Sequence, residues 1–134
     1  MKISKIILYN EPSVPKINIK RVKEFLSNIF DIEVCIKENI FQNLNEKIYE
    51  EIASTRIFDL KKPFEKHIPS IKEILIELEN RDMSNKQEMS LYDGIELNNV
   101  IKQVIPVLEN NLNTLHIIFT NKLTCTFDEN DFRY

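Results

Sequence analysis

Glycine is nearly missing from this chain: Gly94 stands alone among 134 residues. Average usage of about 7% would supply roughly nine. Loops that cradle phosphate need glycine, because the backbone must reach φ > 0 and approach the ligand without a Cβ. With one glycine, neither G-x-G-x-x-G nor G-x-x-x-x-G-K-[ST] can be written, so Rossmann dinucleotide binding and P-loop hydrolysis are excluded. The same shortage forbids the G-x-S-x-G nucleophile elbow. Cysteine is scarce too. Cys35 and Cys125 are far apart, with no C-x-x-C spacing, and are expected to be reduced, small apolar side chains. No apolar run approaches the roughly 18–20 residues that cross a bilayer. The start of the chain offers only Ile6 to Tyr9 as an apolar stretch, too short for a signal peptide, which predicts a cytoplasmic protein without a membrane partner. The net charge of −3 gives no cationic field for phosphate backbones, so nucleic acid is not an expected partner. Lys16, Lys20, Arg21 and Lys23 read as the solvated side of an amphipathic helix.

What remains, 43% hydrophobic and 29% charged residues, suits one folded domain of ordinary size. Lys2 to Tyr9 reads as a buried strand closed by a loop with Pro12 and Pro15. Asn18 caps a helix whose apolar residues Ile19, Val22, Phe25, Leu26, Ile29 and Phe30 recur at helical steps, and Ile32 to Lys37 alternates as a second strand. Strand, helix and strand with short links predict a right-handed βαβ unit. The expected fold is therefore a small two- or three-layer α/β domain with a mostly parallel central sheet. Ile40, Leu44, Ile48 and Ile52 predict a second helix running to about Ile57, followed by a break from Asp59 to Pro69. Residues 71–79 are ambiguous. Ser70 and Glu73 form a capping box, yet Ile74, Ile76 and Leu78 alternate, and the reading leans to strand. Residues 80–90 read as a polar loop. Asp93 caps a helix, with Glu96 reaching back, that Pro106 kinks or ends. Leu115 to Phe119 is a strand, and Leu123, Cys125 and Phe127 either return through Asn121 and Lys122 as a hairpin or continue past a bulge. Ile6, Leu8, Val34, Ile117 and Phe119 are the expected core, covered by Phe25 and Ile101.

Two histidines limit the chemistry. His67 reads as a surface residue and His116 as a structural imidazole beside a buried run; H-E-x-x-H is missing. Cys125, His116 and Asp128 are the one trio within a single stretch that could activate a nucleophile, and only a chain reversal would bring them near. Asp128, Glu129 and Asp131 are the densest carboxylates. Phe132 and Tyr134 break the calcium-loop pattern, so the run reads as a solvated turn. The spacing of Cys35, His67, His116 and Cys125 assembles no tetrahedral zinc site, and no cofactor is expected in this chain.

The blocks Ile7 to Pro15, Lys62 to Glu65, Leu91 to Leu97 and Leu115 to Tyr134 together resemble an uncharacterised archaeal family labelled as metallopeptidases. The blocks follow the family's order across nearly the whole chain, with Asn10 where the family has Asp and Phe132 where it has Trp. The resemblance implies a metal-dependent hydrolase, with zinc in a longer form that continues past the position of Tyr134 and brings further Cys and His ligands. It carries no catalytic role onto any residue here. The candidate site residues are Glu11, Asp93, His116, Cys125, Asp128 and Asp131. The rival reading is a non-catalytic interaction domain, with a protein or peptide partner, or a second copy, held at an exposed sheet edge.

Overall fold

The computed structural model describes residues 2–11, 17–79 and 90–134. The polar stretch 80–89 and the prolines Pro12 and Pro15 lie outside the described residues. Chain contacts gather into two compact units, each built from two segments: Met1–Gln42 with Val104–Asn121, and Asn43–Gln103 with Lys122–Tyr134.

The first unit holds the expected βαβ. Strand β1 (Lys5–Asn10), helix α1 (Ile19–Phe30) and strand β2 (Glu33–Lys37) follow in order, and β1 pairs parallel with β2, Ile6 opposite Val34. Asn18 caps α1 by accepting the Arg21 amide at 3.1 Å. At the other end Asp31 adopts the left-handed conformation (φ 50°), which Asp tolerates better than most residues other than glycine, and its amide returns to the Ser27 carbonyl. Strand β4 (Thr114–Phe119) pairs parallel with the other edge of β1, so the sheet order is β2-β1-β4, wholly parallel, with β1 in the middle. Ile6, Leu8 and Val34 form the buried cluster on one face, packed against Ile19, Val22, Leu26, Ile117 and Phe119. Phe25 is not part of it: it is 62% exposed. Val22 and Leu26 lie one turn apart and take the sheet side, which rotates Phe25 toward solvent.

The second unit departs more from expectation. Helix α2 (Glu46–Ala53) is shorter than the four-residue repeat suggested, because Asn45 accepts the Ile48 amide and starts the helix after Ile40 and Leu44. Residues 71–79 are helix α3 (Ile71–Glu79), not strand. The capping box decides it: Ser70 donates from both its amide and its hydroxyl to Glu73 Oε2 at 2.7 Å, satisfying the first turn. Strand β3 (Leu91–Asp93) precedes helix α4 (Gly94–Val104), which ends before Pro106. Strand β5 (Leu123–Cys125) makes neither a hairpin nor a bulged extension of β4; it pairs parallel with β3, Asp93 opposite Cys125. Gly94 now has a reason. A Cβ there would stand 3.3 Å from the Cys125 carbonyl oxygen, so any side chain would press β5 away from the helix start by a few tenths of an ångström. Ile101, expected to help cover the strands, is buried and belongs to this second unit.

Candidate functional site

The carboxyl end of the parallel sheet is where the first unit concentrates unusual chemistry. Strand β1 is flanked on both sides, so the chain order reverses at its end, and open parallel sheets bind ligands in the crevice at such a point. Glu11 follows β1 directly and is 1% exposed. Its amide donates to the Phe119 carbonyl at 3.0 Å, continuing the β1–β4 ladder by one step and fixing the side chain beside the end of β4. Carboxylate oxygen Oε2 accepts the Thr120 hydroxyl and, at 3.2 Å, the Asn121 amide. Oε1 is buried and has no hydrogen-bond partner among the described residues. Asn10 Oδ1 shares that condition. Being one residue earlier on the strand, it belongs to the opposite face of the sheet.

Lower on the same unit, His116 has the structural role read from its sequence position. Nε2 lies 3.0 Å from the Glu109 carbonyl oxygen, which only accepts, so Nε2 carries the proton and Nδ1 accepts from the Tyr9 hydroxyl at 3.0 Å. The two rings stack at 5.8 Å. Burial, assisted by the Glu109 carboxylate, raises the Tyr9 phenol and keeps it a donor. Both imidazole nitrogens thus have partners within the unit.

The other candidates fall in the second unit, in structural positions. Asp93 caps α4, its Oδ1 accepting the Ile95 and Glu96 amides at 3.0 and 2.9 Å, while Oδ2 accepts the Tyr134 hydroxyl at 2.9 Å. The expected return bond from Glu96 does not form, because the Asp93 amide donates to the Thr55 carbonyl. Burial and Asp93 raise the Cys125 thiol, the reverse of what a nucleophile needs. Asp128 and Asp131 sit in an exposed turn: Asp128 accepts the Asn130 amide at 2.8 Å and Asp131 pairs with Arg133.

Two arrangements escaped sequence reasoning. Glu77 on α3 is buried and accepts from Arg56 Nε at 2.9 Å, Tyr92 Oη at 2.7 Å and Lys122 Nζ at 2.7 Å. Burial pushes its carboxyl up, but Lys122 and Arg56 outweigh that and hold it below the usual range. His67 is not a plain surface residue. Its Nε2 meets Glu73 Oε1 at 3.2 Å, and it lines a cleft of about 360 Å³ together with Arg56, Phe58, Lys62 and Glu65. Its only sequence signal is the capping-box Glu six residues on, which holds the imidazole with the oxygen that Ser70 leaves free.

No helix among the described residues is long and apolar enough to cross a membrane. No curated protein and no solved structure matches the chain. The model of a family described as a probable metallopeptidase family (DUF6775) matches residues 2–134.

Proposed function

Because the chain belongs to this probable metallopeptidase family, we propose that it acts on peptides, with the carboxyl edge of the β2-β1-β4 sheet as the substrate face and Glu11 as the charged group presented there. The observation that carries this reading is the half-satisfied Glu11 carboxylate at the strand-order reversal. Buried polar atoms nearly always find partners, and those that do not mark sites where a ligand, water or ion completes the set. Thr120 and Asn121 hold one oxygen still, so the other is presented in a fixed direction.

The family's description implies a metal, and zinc is part of this proposal for a longer form. The residues described here do not fit it by themselves. A hydrolytic zinc takes three protein ligands and keeps a fourth position open. Among the described residues no three His, Cys, Asp or Glu side chains converge. His67 with Glu73 makes two, and the ring nitrogens of His116 are spent on Tyr9 and Glu109.

The test is hydrolysis. The chain is incubated with a mixture of unmodified peptides, with and without added zinc, and the products are read by mass spectrometry. Cleavage that falls at least about tenfold in Glu11→Gln, about 1.4 kcal/mol in barrier height, is the expected result; cleavage unchanged by that substitution would remove Glu11 from the site. A second reading is favoured by β4, which among the described residues has a strand neighbour on its β1 side only. Its other edge could add a strand from a second copy. Light scattering showing a concentration-dependent dimer that disappears when a proline replaces Ile117 would support that reading over the first.

A further inference from the structure

The geometry around Glu11 narrows the kind of group it takes, and we propose that Glu11 Oε1 binds a primary ammonium of the peptide substrate. The identity of the carrier as a peptide rests on the reading above; the ammonium chemistry does not. A carboxylate oxygen that is buried without a donor among the described residues calls for a cation or a strong donor. Three cationic candidates differ in what they require. A guanidinium forks onto both oxygens of a carboxylate, and here Oε2 is already committed to the Thr120 hydroxyl and the Asn121 amide. A zinc ion needs two further protein ligands that the described residues do not bring together. A primary ammonium is a compact point charge that is satisfied through a single oxygen, and its remaining donors can turn to backbone carbonyls or water. The location agrees, since the crevice outside the ends of adjacent parallel strands is the ligand-binding position of this architecture. Glu11 comes from the end of β1, and both donors that lock it come from the segment just after β4.

Two sources carry this chemistry, the peptide's own amino terminus and a lysine side chain, and one titration separates them. The chain, labelled with ¹⁵N, is titrated with Ala-Ala-Phe-amide, with its N-acetylated form, and with N-acetyl-Ala-Lys-Phe-amide. The amide signals of Thr120 and Asn121 report binding. Saturable shifts with the free-amine peptide, weakened at least about tenfold by acetylation, assign the site to the amino terminus. Shifts with the acetylated lysine peptide but not with the acetylated alanine peptide assign it to the lysine side chain. Either outcome supports the inference, and Glu11→Gln should abolish both. Equal shifts from the acetylated alanine peptide, shifts from zinc chloride alone, or no shift with any peptide would overturn it. The comparison of acetylated and free peptides on the wild-type chain holds whether or not the variant folds. Hydrolysis indifferent to acetylation and to lysine would overturn this inference and leave the peptidase reading standing. Ammonium-selective binding without hydrolysis would do the reverse.

Discussion

Glu11 and Glu77 are both buried glutamates, at 1% and 2% exposure, and they are handled in opposite ways. Glu77 receives two cations and a phenol, so each of its oxygens faces an opposite charge. Glu11 receives a hydroxyl and an amide on one oxygen and, among the described residues, nothing on the other. A fully paired buried charge is a structural device whose removal strands its partners. A half-paired one is costly to stability and is kept where something else binds it. The contrast separates a residue that holds its unit together from one that serves a ligand, although the two look alike in a burial profile.

The largest effect is expected where the pairing is complete. Glu77→Ala leaves Arg56 and Lys122 buried without their carboxylate and should cost about 3–5 kcal/mol, read from urea unfolding; a loss under about 1 kcal/mol would show the cluster to be solvated. The same carboxyl gives the next largest effect, in pH. Its folded pKa lies below the unfolded value of about 4.3, so the unfolded state takes up the proton first. The stabilisation is therefore complete above that value and is lost as pH falls through the lower, folded pKa. Unfolding midpoints measured from pH 6 to pH 2.5 should fall steeply below about pH 4 in the parent and less steeply in Glu77→Leu. Equal slopes would place the acid sensitivity elsewhere. Thr120→Val removes one of the two donors that hold Glu11 Oε2 and should cost about 1–2 kcal/mol by thermal or urea unfolding. Glu11→Gln is expected to change stability least, by under about 1 kcal/mol and in either direction, because it keeps an acceptor for Thr120 while removing a charge with no ionic partner among the described residues. If Glu11→Gln destabilised the chain as strongly as Glu77→Ala, the distinction between the two glutamates would collapse.

How far these features could be read in advance follows from how local their causes are. Strand β1, helix α1, its Asn18 cap and β2 were legible because each signal, a proline-closed apolar run or a cap before a helical repeat, lies within a few residues. The same locality explains the Asp93 cap. Residues 71–79 carried both periodicities, and the deciding contact between Ser70 and Glu73 was visible but outweighed by the alternation of Ile74, Ile76 and Leu78. The parallel pairing of β3 with β5 had no local trace, since three-residue strands find each other only through tertiary packing. Glu11 could be named from the family-like block Ile7 to Pro15, but its free oxygen depends on Thr120, 109 residues away. The Glu77 cluster joins residues separated by 21 and 45 positions, and no spacing rule anticipates it.

Interrupted segments also set an order of events in synthesis. Each unit is made from an earlier and a later stretch of chain, the first closing only when Val104–Asn121 has emerged and the second only with Lys122–Tyr134. Until β4 appears, the middle strand β1 waits with one pairing edge open and Glu11 without either of its donors. A chain in which only β1 and β2 had paired would carry an open apolar strand edge, the kind of surface that invites aggregation.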